Sequence, residues 1–374
     1  MLSHVCSMFK AIFNVYTILG DNMENVKKNS FHILLVWFLS YSFFVNKFIS
    51  NRIMTNFGTK GLFFIILIDL LFPLVLLFYK PLKRIQKEKL MNLVKIKPSI
   101  FFVFKLFISV YLILTSIYTL RHICSFLSSY YFDVISLAME IVLLLLLVLY
   151  ASYKSFDCLS TISVLIAVYV TVEFVIYIIT GVESRWFLVN YIPSFQLSEI
   201  IEILLYLSIF IIDFVLLFLH SDDSMEPLKK KHIIFFCFLL ACINIFEKVK
   251  MVTSLGPLVE MYKFPSFEVW RLSSIDFIRM NVDFIPLIGW IMIAFVRLSL
   301  SLHLFDKVWN KSSVKFNVIV LTFIGIVTYI FSSRLSLSSM IDDTHIFMWI
   351  SGLVSCVLLG LIVHQKKGGL KRVK

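Results

Sequence analysis

Seven ionisable residues sit inside apolar runs of this chain: Asp69, Lys105, Glu140, Glu173, Asp213, Glu247 and Arg297. In a hydrocarbon environment such a group costs several kcal/mol unless it is paired, hydrated or snorkelling, so each marks a candidate site for ion handling or ligand binding. Asp69 lies four residues before Pro73, which removes one backbone hydrogen bond and suits a kinked face turned towards other helices. It serves either packing or an ion path. Glu140 and Glu173 are expected to face the interior of a helix bundle, with no partner legible in the sequence. Asp213 follows Ser208-Ile209-Phe210-Ile211-Ile212 deep in an apolar run and needs a partner or water. Arg297 is about 20 Å along its run from Phe284, which calls for snorkelling or a carboxylate. Lys105 is placed to snorkel, and Glu247, beside Lys248 and Lys250, reads as part of a local pair at the interface.

A second constellation lies between two apolar runs. From Phe264 to Arg279, Glu268 and Arg271 are three residues apart, as are Asp276 and Arg279, so each pair shares a helical face. Pro265 can open a helix, and Val269, Leu272 and Ile275 form part of an apolar stripe. The segment reads as an external amphipathic helix, lying over the bundle as a lid or serving as a solvated connector. Enzyme motifs are missing: no HExxH, GxSxG or phosphate-binding loop occurs, and the six cysteines show no metal-ligand spacing. Neither a cofactor nor a metal is expected.

The elements that must position these groups are membrane spans. The chain has 374 residues, of which 60% are hydrophobic and 16% charged. Soluble domains carry roughly 25% charged residues, so this surface is too apolar for water. Ten runs qualify as spans: Phe31–Ile49, Gly61–Tyr79, Ile100–Leu120, Val134–Ser152, Leu159–Gly181, Leu197–His220, Ile233–Ser254, Phe284–Phe305, Phe316–Phe331 and Ile346–His364. The third is expected to be interrupted or to run on past Arg121. Lys80, Lys83, Arg84, Lys229, Lys230, Lys231, Lys307, Lys311 and the basic tail all fall on one side if the spans alternate, which makes both termini cytoplasmic. This distribution also explains the net charge of +12 without nucleic acid as a partner. Residues 1–26 read as an extension, either disordered or preceding a natural start at Met23. Residues 27–374 read as one all-α transmembrane domain.

The ordered set Gly256-Pro257, Phe264-Pro265-x-x-Glu268, Arg271, Asp283, Trp290 and Phe295-Val296-Arg297-Leu298-Ser299-Leu300 resembles the endospore germination permease family, the B subunits of bacterial nutrient germinant receptors. The resemblance covers about residues 27–365. It implies an amino-acid/polyamine-transporter (LeuT-like) fold of ten helices in two inverted repeats, about 30–181 and 193–331, with a final helix at 346–364. In that fold the first and sixth spans are broken near the midplane and hold a ligand-sized gap between them. Carried over, the nutrient site comprises Ser40, Tyr41, Ser42, Ser208, Phe210 and Asp213, with Pro265, Glu268, Arg271 and Asp283 in a gating loop. The ligand implied is a small nutrient, an amino acid, and the partners are an A-type membrane subunit and a C-type lipoprotein in the inner spore membrane. The sequence departs from the family at the breaks, where Ser40, Ser42 and Ile211 stand in place of glycine, and at Met280-Asn281, where the family has Glu-Arg. Two other functions fit the same residues. One is a proton-coupled amino-acid transporter using Asp69, Glu140, Glu173 or Asp213. The other is an envelope polysaccharide polymerase using Arg271 and Arg279.

Overall fold

The computed structural model describes residues 30–42, 49–71, 98–130, 137–153, 156–180, 196, 212–217, 229–272, 284–310, 313–333, 348 and 350–358. Among them every regular element is helical. In chain order these are α1 (Ser30–Ser42), α2 (Ser50–Phe57), α3 (Lys60–Leu71), α4 (Pro98–Tyr130), α5 (Leu137–Tyr153), α6 (Phe156–Ile179), α7 (Lys230–Leu255), a 3₁₀ turn (Gly256–Met261), α8 (Pro265–Leu272), α9 (Phe284–Trp309) and α10 (Val314–Ser333). Residues 212–217 and 350–358 are also helical.

Five helical stretches are long and apolar enough to cross a membrane: Pro98–Tyr130, Cys158–Ile179, Lys230–Met261, Phe284–Trp309 and Val314–Ser333. They match the third, fifth, seventh, eighth and ninth expected spans. Ile33–Ser42 and Leu137–Tyr153 are shorter apolar helices at the first and fourth. Much of the second, sixth and tenth spans lies outside the described residues. So do Ser208–Ile211, most of the break expected in span six, and the extension at residues 1–26, whereas Ser40-Tyr41-Ser42, the break expected in span one, are helical.

Burial sorts the spans. The apolar window of α9 is 78% buried, against 28% for those of α6 and α10, which makes α9 the central post. It packs against α4, α1, α6 and α5, while α10 closes over α5 and α4. The outward faces carry large apolar side chains such as Phe102, Leu146, Val168, Ile319 and Phe323, all exposed. An apolar exterior of this extent suits lipid as the surrounding solvent.

α4 is a single uninterrupted helix. Its Pro98 stands at the first position, where the missing N–H costs nothing. At 33 residues it is about 50 Å long, well beyond the ~30 Å hydrocarbon core. Its last turns therefore rise past Arg121 and meet the segment that follows α7. There Phe126 packs 4.4 Å from Trp290 and 4.7 Å from Phe267, ring centre to ring centre, and 5.4 Å from Phe264. Two members of the ordered motif set, Phe264 and Trp290, thus join Phe126 and Phe267 in one aromatic knot that seats α8 on α4 and α9. Gly256 ends α7 at φ +55°, a left-handed conformation that favours glycine.

Packing is tight at the last apolar segment too. A Cβ on Gly352 would fall within the contact radius of Ile212 and 3.1 Å from Tyr111 Cδ2. Both neighbours are fully buried. Gly352→Ala is therefore expected to destabilise the protein by about 1–3 kcal/mol, the usual cost of overpacking, as read by denaturant titration in mixed micelles.

Candidate functional site

Four parts of the chain converge on Asp213. The Arg297 guanidinium donates from Nη1 to Asp213 Oδ2 at 2.6 Å and from Nη2 to Asp213 Oδ1 at 3.1 Å. The Tyr111 hydroxyl donates to Asp213 Oδ1 at 2.8 Å. Arg297 Nη1 also reaches Ser40 Oγ at 3.3 Å. The Trp37 indole N–H donates to the Asp213 backbone carbonyl at 3.0 Å, and its ring stacks on Tyr41 with centres 5.1 Å apart. Ser40, Tyr41, Tyr111 and Asp213 are at most 1% exposed and Arg297 is 3% exposed. α1, α4, the helical residues 212–217 and α9 are thus pinned together by one bidentate ion pair with its hydrogen-bond partners. Such a pair is stable in a low-dielectric interior only when its remaining donors and acceptors are also met, which Tyr111 and Ser40 help to do.

Ser40, Tyr41 and Ser42 form the last described turn of α1, and Ser208 and Phe210 lie outside the described residues. Most of span six, and with it the region of the ligand-sized gap expected between spans one and six, lies outside the described residues. The cavity bounded by Trp37, Leu112, Asp213, Arg297 and Ser301 measures about 10 Å³, room for one water at most. The Arg297 side chain forms part of its wall and reaches from α9 to Asp213.

A second polar network lies on α7. Asn244 Nδ2 donates to Asp69 Oδ2 at 2.9 Å and its Oδ1 accepts from Ser50 Oγ at 3.1 Å. One turn further on, Lys248 Nζ donates to Asn51 Oδ1 and Ser266 Oγ, both at 3.0 Å, and to Glu247 Oε1 at 3.3 Å. Ser266 Oγ in turn donates to Asn51 Oδ1 at 2.6 Å. Lys248 is fully buried and Glu247 is 6% exposed. The local pair expected at Glu247 is present, with Lys248 at 3.3 Å, and it is buried within the protein. The physical reason is that α2, the 3₁₀ turn and α8 cover the end of α7 and leave Lys248 in the core.

Other candidates stand apart from these clusters. The Glu173 carboxylate lies against Gly289 of α9, in the space a Cβ would occupy. Glu140 is buried in the first turn of α5 beside Cys124, where a negative charge suits the helix N-terminus. Lys105 is half-buried, with its ammonium over the rings of Phe101 and Trp309. In α8, Glu268 accepts from the Tyr130 hydroxyl at 2.7 Å and lies 3.4 Å from Arg271 Nη1, so the three-residue spacing does make a shared face. Val269 is buried, but Leu272, expected on the same stripe, is exposed. Pro265 is buried at the start of α8. Asp276, Arg279 and Asp283 lie outside the described residues. Arg271 is half-exposed, so Arg271→Ala is expected to cost under about 1 kcal/mol in the same titration.

No protein-family model matches the chain, and no solved structure matches it. It is 23% identical over 210 residues to a protein named Spore germination protein XB of Bacillus anthracis. That stretch covers 56% of this chain and 59% of the relative. This distant likeness suggests a germination-protein family and a role in germination.

Tyr111, Trp37, Ser50, Asn51, Asn244 and Ser266 join the two networks without any signal in the sequence that separates them from the many other polar side chains. Lys248 carried a signal, its charge within an apolar run, which nearby Glu247 and Lys250 obscured.

Proposed function

We propose that this chain is the B subunit of a spore germinant receptor, a ten-helix LeuT-like membrane protein that senses a small nutrient of the amino-acid class. The observation that carries this reading is the buried Asp213–Arg297 pair joining spans one, three, six and eight. A zwitterion bears the same two charges as that pair. Its ammonium can take the place of Arg297 at Asp213, and its carboxylate can take the place of Asp213 at Arg297. One internal ion pair then becomes two ligand contacts, and the four spans it joined are free to shift. A ligand moves such an equilibrium only by its differential affinity for the two arrangements. The closed cavity makes that difference large, because binding requires the pair to part. No bond is made or broken in this scheme. The change passes to an A-type membrane subunit and a C-type lipoprotein in the inner spore membrane, with both termini of this chain cytoplasmic.

The deciding experiment is genetic. Spores lacking this chain are expected to lose their response to one class of nutrient while still germinating by nutrient-independent triggers. A deletion strain that answers every nutrient normally contradicts the proposal.

A proton-coupled transporter is the second reading, favoured by the two buried carboxylates Asp69 and Asp213 inside the bundle. Purified chain in vesicles separates the two, since uphill accumulation of an amino acid under a proton gradient belongs to transport alone.

A further inference from the structure

The junction of α9 with α10 holds a polar pair that the midplane site does not use. Asp306 stands in the last turn of α9 and Asn317 in the first turn of α10. Asn317 Nδ2 donates to Asp306 Oδ2 at 2.9 Å. Asp306 is 9% exposed and Asn317 is 4% exposed. Their other two oxygens, Asp306 Oδ1 and Asn317 Oδ1, are buried and receive no hydrogen bond. Burying an acceptor without a donor costs stability, and a bare carboxylate oxygen costs more than a bare amide oxygen.

The charged and titratable groups at this end of the bundle leave the pair as it is. On α9 itself, His303 lies one turn earlier and packs edge to face on Phe156 of α6, and Lys307 is the next residue. On α4 the Lys105 ammonium lies over the Trp309 ring. Tyr150 belongs to α5, and Lys315 is exposed on α10. Among the described residues, none of these hydrogen-bonds or ion-pairs with Asp306. The first amides of α10 are committed as well, since Phe316 N–H donates to Ser313 Oγ and Asn317 N–H to the Ser313 carbonyl. In the last turn of α9, Asp306 also meets the negative end of that helix's dipole, which disfavours an anion.

We infer that Asp306 and Asn317 form a proton-binding site. A proton taken from bulk water by Asp306 Oδ1 supplies the missing donor, and Asn317 Oδ1 accepts it. Acid and amide then close a ring of two hydrogen bonds that uses both bare oxygens. Return of the proton to water opens the ring and leaves a bare carboxylate oxygen buried. The site thus ties α9, the central post, to α10 in a proton-dependent way. It uses neither Asp69 nor Asp213, so it stands whether the chain senses a nutrient or moves one.

The test is infrared difference spectroscopy of the full chain in nanodiscs, with Asp306→Asn as the reference. Wild type minus this variant is expected to show a protonated-carboxyl band at about pH 5 that is smaller at about pH 9. Asn317→Leu is expected to move the band to higher frequency, because the acid's carbonyl loses the Nδ2 donor. The Asp306→Asn amide donates at every pH, whereas the wild-type acid loses its donor as the pH rises. The denaturant midpoint of Asp306→Asn in mixed micelles is therefore expected to match wild type at the lower pH and exceed it at the higher. No carboxyl band at either pH overturns the proton. A wild-type midpoint raised by sodium chloride but not by choline chloride also overturns it, and assigns the bare oxygens to a metal cation. If Asp306→Asn does not fold, the wild-type band and its Asn317→Leu shift give the same reading.

Discussion

Arg297→Met is expected to destabilise the protein by about 3–5 kcal/mol, and adding Asp213→Leu is expected to recover most of that loss. The single change leaves the Asp213 carboxylate fully buried with only the Tyr111 hydroxyl and no opposite charge. An uncompensated buried charge is the costliest common defect in a protein interior. The double change replaces both ions with apolar side chains of similar reach, an exchange that is often neutral or stabilising. Denaturant titration of the two variants in mixed micelles reads the difference. Equal loss in both would mean that packing around Arg297, rather than its charge, holds the four helices together.

The second large effect is expected at Lys248. This ammonium has three described partners, on α2, α8 and its own helix, and no exposure to solvent. Hydrogen bonds to a charged donor contribute roughly 1.5–3 kcal/mol each when removal strands the partner. Lys248→Met is therefore expected to cost about 3 kcal/mol, and the loss should be local. α8 is held to α7 through Ser266, so its release should expose Lys263 and Arg271 to trypsin, with cleavage accelerated at least about tenfold if it follows the population of the opened form. A global loss of stability without faster cleavage there would show that α8 is held by its aromatic knot on Phe126 and Trp290 alone.

The sequence and the structure agree most where an argument needs only local spacing. Glu268 and Arg271 are on one face because a helix puts residues three apart together, and that requires no knowledge of the rest of the fold. Five of the spans follow from apolar length alone, since the ~30 Å core admits few alternatives. Charge inside an apolar run singles out Asp213 and Arg297 separately. Their pairing is 84 residues apart in the chain and depends on the rotation of α9 against span six, which hydropathy does not encode. Tyr111 was hidden for a related reason. A buried tyrosine is an ordinary core residue until its hydroxyl is seen to donate to a carboxylate. The burial of the Glu247–Lys248 pair was not legible because distance along a helix from its outer end says nothing of the short helices that fold back over it. α2 and the described part of α8 are too brief to register as apolar runs, yet Asn51 and Ser266 on them hold Lys248 in the core.

The motif residues also acquire physical roles. Gly256 turns the chain at a left-handed angle, Phe264 and Trp290 pack against Phe126, and Glu268 takes the Tyr130 hydroxyl. All serve to hold α8 and the end of α4 against the central post. Arg297, from the same ordered set, instead holds Asp213, so the motif set and the candidate site share one residue.

The dose–response of germination in spores carrying Arg297→Met with Asp213→Leu bears most directly on the midplane pair as the sensing element. This double variant is expected to accumulate to the normal level, read by immunoblot, yet to leave spores unresponsive to the nutrient at any concentration. A wild-type response curve at normal protein level would contradict the account.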